Sequence, residues 1–205
     1  MTTAITKKSG KGVTDGVISE LFTVWDILPG REEEVRAATQ RMIDTVHHLD
    51  PATSAATGLR DVRTVIINGG KQLVFATTFE TEWDSYIDDA ILVVGVGAFL
   101  DWMQHTVQGQ EVVAWAKESG ADKFAASDPE WEAIMRKATS KLKAILQETQ
   151  SPATAYFNAV SALTLPQVDR AVRMEKAFEQ VLDDPAAAEA LQHPALKPLL
   201  ELAAD

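Results

Sequence analysis

The sequence predicts an α+β fold of β-α-β-β-α-β order, and three observations carry that expectation. Residues 73–79, LVFATTF, are apolar, aromatic and threonine-rich, with no Gly or Pro inside, as a strand requires. They run straight into residues 80–90, ETEWDSYIDDA, whose acids Glu80, Glu82 and Asp84 suit the positive end of a helix. Just before them, Asn68-Gly69-Gly70 joins residues 59–67 to 73–79 at hairpin spacing.

Residues 1–17 are polar and Gly-rich and read as a flexible N-terminal tail. Residues 18–28, ISELFTVWDIL, form the first strand. Phe22 and Val24 fall on one face and Leu21, Trp25 and Ile27 on the other, so both faces should be covered. Pro29-Gly30 turns the chain into a helix over 31–49. Its stripe is Val35, Ala38, Met42, Ile43, Val46 and Leu49, and Asp50-Pro51 ends it. His47 and His48 in its last turn point about 100° apart and cannot chelate one metal together. Residues 51–58 form a loop of small residues.

After the hairpin, Thr81 caps the second helix, with Asp84 at capping-box spacing. The last strand does not follow at once. A helical insertion occupies 91–150, entered through Gly95 and Gly97. Within it, Ser127-Asp128-Pro129 opens a helix with Trp131, Ile134, Ala138, Leu142 and Ile145 on one face. Residues 153–160, ATAYFNAV, read as the fourth strand, which completes a ferredoxin-like unit. Thr164 then caps a long helix, with Gln167 at capping-box spacing and an inward stripe of Val168, Ala171, Val172, Glu175, Phe178 and Leu182. Short helical turns follow, broken by Pro185, Pro194 and Pro198. The expected organisation is the tail and one ferredoxin-like domain over 18–205.

Composition removes several function classes. The 205 residues carry a formal net charge of −11, which repels phosphate backbones and anionic membrane surfaces, so neither nucleic acid nor membrane is an expected partner. There is no cysteine, hence no disulfide, thiolate metal site or cysteine nucleophile. No apolar run reaches the roughly 18 residues that span a bilayer, and no apolar signal region follows the N-terminal lysines, so a cytoplasmic protein is expected. P-loop, HExxH, GxSxG and EF-hand patterns do not occur, and no metal site is expected.

The residues that can carry chemistry are few. His105 in DWMQHT lies four residues after Asp101, a spacing that puts carboxylate and imidazole on one helix face. They are the candidate catalytic pair, with His105 as general base or axial haem ligand. Trp25, Phe75, Trp83, Tyr86, Phe99, Trp102 and Tyr156 are the candidate substrate-binding residues, since aromatic walls with few polar groups suit an apolar ligand. Asp88 and Asp89 are adjacent and read as structural acids.

The phrase FATTFETEWDSYIDDA, with Phe79, Trp83, Tyr86, Asp88 and Asp89 at its marked positions, resembles the strand-to-helix junction of ferredoxin-like, dimeric α/β-barrel proteins. It looks most like small domains associated with bacterial peroxidase- and catalase-like proteins. The segment around Tyr156 and 164–182 is similar to that group's late strand and helix. The resemblance implies two sheets face to face across a dimer, and the two-sided apolar character of Phe22, Val24, Val74, Phe75 and Tyr156 points to a homodimer through the open sheet face. The resemblance also implies an oxidoreductase-like enzyme, monooxygenase- or peroxidase-related, acting on an apolar or aromatic small molecule. It leaves the cofactor unknown, with haem among the options, and leaves open a non-catalytic binding or accessory module that partners another enzyme. Either way, the pocket is expected between the insertion and the strands bearing Trp25, Phe75 and Tyr156, with His105 as its polar group.

Overall fold

The computed structural model describes residues 12–121 and 130–204. The chain divides into two compact units, Met1–Leu163 and Thr164–Asp205, where the sequence suggested one domain over 18–205. The first unit runs β1 (Thr14–Asp15), β2 (Ile18–Asp26), α1 (Glu32–His47), α2 (Pro51–Ala56), β3 (Leu59–Ile67), β4 (Gln72–Phe79), α3 (Trp83–Val94), α4 (Val96–Met103), α5 (Gln110–Ser119) and α6 (Trp131–Thr149). It is an α+β unit with a four-stranded sheet of order β1-β2-β4-β3, antiparallel throughout.

The hairpin forms as the sequence requires. Asn68 and Gly69 both take positive φ, at 53° and 62°, which Asn and Gly tolerate best. The register then sets the two sheet faces, because side chains alternate. Trp25 faces Leu73, Thr23 faces Phe75 and Leu21 faces Thr77, so these residues share one side. On that side lies the core: Leu21, Trp25, Leu73, Phe75 and Phe79 of the strands. It is covered by Val35, Ala38 and Met42 of α1, Trp83 and Ile87 of α3, Phe99 and Trp102 of α4, and Leu142 and Leu146 of α6. Phe22–Ala76–Arg63, Val24–Val74–Val65 and Glu20–Thr78–Asp61 make up the other side. There Val65 is 46% exposed, and Phe22, Val24 and Ile67 are half-buried.

Several expectations need correction. Residues 153–160 form no strand, and only the bridge Thr23–Gln150 and the Ser151 N–H to Phe22 carbonyl bond tie this stretch to β2 as a strand would. Beyond them, backbone N–H groups go to side chains: Ala153 donates to Glu20 Oε1 (2.7 Å) and Asn158 to Asp15 Oδ2 (2.8 Å). Those carboxylates divert the donors that a ladder needs. The expected tail of 1–17 extends too far, because Thr14 and Asp15 pair with Ser19 and Ile18 around a turn at Gly16; residues 1–11 lie outside the described residues. The capping box at Thr81 does not form either. The helix starts at Trp83 behind an extended Glu82, which leaves the Thr81 hydroxyl buried and without a hydrogen-bond partner. The expected helix start at 127–129 lies outside the described residues.

The second unit contains α7 (Leu165–Leu182), α8 (Ala188–Leu191) and α9 (Lys197–Ala203). Its capping box is complete: Gln167 N–H donates to Thr164 Oγ1 (3.4 Å) and Thr164 N–H to Gln167 Oε1 (2.8 Å). Pro185 and Pro194 open helical turns rather than end them, each behind a cap: Asp184 Oδ1 accepts from Ala186 N–H and His193 Nδ1 from Ala195 N–H. The expected inward stripe of α7 has no buried member. No helix among the described residues is long and apolar enough to cross a membrane.

Candidate functional site

Strand alternation turns Trp25 and Phe75 to the same side, and helical spacing puts Phe99 and Trp102 on the face of α4 that meets them. Trp25 and Trp102 meet edge to face at 4.8 Å between ring centroids. Phe75 stacks on Trp102 at 5.8 Å and meets Phe99 edge to face at 6.5 Å. Trp25 and Trp102 are both 0% exposed. Trp25 Nε1 donates to Thr23 Oγ1 (2.7 Å), and that hydroxyl donates to the Phe75 carbonyl (3.1 Å). Four of the seven aromatic candidates thus converge, but as close-packed core. The nearby void, bordered by Met42, Val62, Phe75, Tyr86 and Phe99, has a volume of about 30 Å³. That is room for a water, not for a drug-sized ligand.

Of the other three aromatics, Trp83 and Tyr86 belong to the same core, and Tyr86 borders the same void. Trp83 is buried in α3. Tyr86 stacks flat on Phe79 at 4.1 Å and shares a 2.7 Å hydrogen bond with Thr77 Oγ1; burial pushes its phenol pKa up. Tyr156 lies toward the opposite sheet face. Burial raises its phenol pKa, and Asp61, Glu20 and Asp15 add to the shift. Phe75 and Tyr156 therefore cannot line one pocket, because the sheet separates them.

Asp101 and His105 do not form a pair. His105 lies two residues beyond the end of α4, and Asp101 Oδ2 is taken by Arg41, which donates from Nε (2.9 Å) and Nη2 (2.7 Å). Gln104 Nε2 approaches Asp101 Oδ1 at 3.3 Å. His105 is half-buried, and its backbone carbonyl accepts from Leu28 N–H (2.9 Å). Loss of solvation lowers its pKa below the usual 6.5, and Arg31 and Arg41 push the same way against Glu34 and Asp101. The imidazole therefore holds a proton less readily than a free one. An NMR titration of its ring protons is expected to give a midpoint below 6.5. With the folded pKa depressed, the unfolded chain binds the proton first, so this group costs stability as pH falls from 6.5 through the folded pKa. A midpoint at or above 6.5 would contradict the placement.

His105 and the aromatic cluster do not fit a haem. His105 does not border the aromatic cluster's void or the larger cleft described next, and the space beneath Phe75 and Phe99 is far too small for the macrocycle. Among the described residues no group of three or more His, Asp or Glu side chains is placed to hold a metal ion.

Open space lies on the other side of α4. Gly97, Asp101 and Gln104 follow one another at helical spacing there, opposite the face that carries Phe99 and Trp102. They border a cleft of about 720 Å³, within the usual range for small-molecule sites. Its walls are α1, the α3–α4 junction, α5 and α6, and they carry Met42, Ile91, Val96, Leu100, Val113 and Met135. Gly95 makes the junction. Its φ of 90° and ψ of 142°, in a region essentially reserved for glycine, let one residue end α3 and start α4. A Cβ at Gly95 or Gly97 would meet nothing within 4 Å, so these glycines leave the floor of the cleft open. Arg41 and Lys117 supply its cations and Asp101 its carboxylate.

Comparison with known proteins finds no matching family model, no matching curated protein and no matching solved structure.

Of the residues around this cleft, sequence reasoning named Asp101, the glycine pair and, as a core residue of the first helix, Met42. Nothing in the sequence singles out Arg41 or Lys117. Sequence carried one usable signal: two glycines within a helix-forming apolar run leave space on one helix face.

Proposed function

We propose that this chain is a small-molecule-binding module, and that its ligand occupies the cleft outside α4. One observation carries the reading: a cleft of about 720 Å³ with apolar walls lies beside an aromatic cluster that is itself fully packed. Binding is favoured over oxidoreductase catalysis because Asp101 reaches the cleft already committed to Arg41, and His105 does not border it. Native mass spectrometry of protein purified from its source is expected to show a mass increment that disappears on denaturation. Gly97→Leu, which fills the cleft floor without backbone strain, should lose that increment while its thermal midpoint holds. An increment that persists in Gly97→Leu would sink the reading.

We also place the fold in the ferredoxin-like, dimeric α/β-barrel group. The run β2-α1-α2-β3-β4-α3, with β4 between β2 and β3, supports this. The fourth strand's place beside β2 is taken by β1 and the irregular 150–161 stretch. The half-open sheet face, with Val24, Val74 and Val65 across its middle, is the proposed homodimer surface. Phe75 is not part of it, since it points into the core. Light scattering at micromolar concentration is expected to return about twice the chain mass, and Val65→Glu to return the monomer. A monomeric wild-type chain would remove the dimer.

A further inference from the structure

The charges around the cleft are unequal. Two cations, Arg41 and Lys117, border it against one carboxylate, Asp101. That carboxylate is spent, because Oδ2 takes both Arg41 donors and Oδ1 faces Gln104 Nε2. Arg41 uses only Nε and Nη2 on a single oxygen, so part of its five-donor fork stays available. Lys117 is exposed and makes no ion pair among the described residues. In a chain of net charge −11, such a locally positive rim is the one kind of place where an anion is not repelled. Apart from Thr45 and Gln104, the remaining walls are aliphatic and thioether, without the flat aromatic surfaces that would select a planar ring.

Resting on the reading that the cleft binds a small molecule, we infer that the ligand is an aliphatic amphiphile with a single anionic head, of the fatty-carboxylate class. Its tail lies against Ile91, Val96, Leu100 and Val113 above the glycine floor. Its carboxylate sits at the mouth, between the Lys117 ammonium and the free edge of the Arg41 guanidinium. Charge-assisted contacts of this kind are the strong ones, and each holds a carboxylate about tenfold or more better than a neutral head. Leu92, 76% exposed beside the same cleft, gives the tail further apolar surface at its edge.

The test uses the full chain and three probes of one tail length: decanoate, decanol and decyltrimethylammonium. Binding is measured by titration calorimetry on wild type, Lys117→Gln and Gly97→Leu. Decanoate is expected to bind about a hundredfold more tightly than decanol, and to lose about tenfold of that advantage in Lys117→Gln, where the Arg41 contact remains. All binding should vanish in Gly97→Leu. Decanol or the cationic probe binding as tightly as decanoate, with Gly97→Leu still abolishing it, overturns the anionic head and leaves the cleft standing. Binding that survives Gly97→Leu, or no binding of any probe at millimolar concentration, removes the cleft as a site and the inference with it.

Discussion

Trp102→Ala is expected to lower the unfolding free energy by about 3–5 kcal/mol. The side chain is fully buried, touches Trp25 at 4.8 Å and Phe75 at 5.8 Å between ring centroids, and belongs to the one cluster that joins sheet to α4. Removing the indole leaves a cavity that its neighbours, aromatic and held by the strands, cannot collapse to fill. Trp102→Phe should cost about half as much or less, because the indole N–H has no acceptor to lose and a ring still fills most of the space. Trp25→Phe breaks an additional bond, since Trp25 Nε1 donates to Thr23 Oγ1 at 2.7 Å. Urea unfolding followed by far-UV circular dichroism measures all three. A Trp102→Ala midpoint indistinguishable from wild type would mean that the cluster is not the core.

Glu80→Ala is expected to cost about 3–5 kcal/mol, by stranding a buried positive charge. The register shift between Leu59 and Asp61 places Arg60 at the end of β3, where Nε lies 2.5 Å from Glu80 Oε1. The N–H is not aimed at that oxygen, so the contact is an ion pair without an aligned hydrogen bond. Both side chains are nearly buried, at 11% and 9% exposed. Arg60 Nη2 also donates to the Leu163 carbonyl, so the same guanidinium ties the last residue of the first unit to β3. Without Glu80, that carbonyl alone faces a charge that has lost its water. Replacing both partners, as Arg60→Met with Glu80→Leu, should recover much of the loss, because no buried charge then remains. If the double variant unfolds as easily as Glu80→Ala, the damage comes from shape rather than from charge.

The sequence by itself determined the elements whose signals are local. Alternation and β-branched content set β2, β3 and β4. Asn68-Gly69-Gly70 set the hairpin, and the α1 stripe and the Thr164–Gln167 capping box set their helices. Each depends on groups within a few residues of one another, where spacing fixes geometry. It also determined which aromatics are large enough to dominate a core, and Trp25, Phe75, Phe99 and Trp102 do meet.

Only the tertiary structure decided what those residues do. Whether an aromatic wall encloses a pocket or closes on itself depends on sub-ångström fit between strands and helices that are distant in the chain, and here it closes. Residues 153–160 have strand composition, yet the carboxylates of Glu20 and Asp15, more than 130 residues earlier, take the N–H groups of Ala153 and Asn158. Asp101 and His105 stand at helical spacing, yet Arg41, sixty residues away, claims the carboxylate, and α4 ends before the histidine. The cleft follows the same rule. Its glycine floor is written in the sequence, but its cations come from α1 and α5, and only folding brings them to one rim.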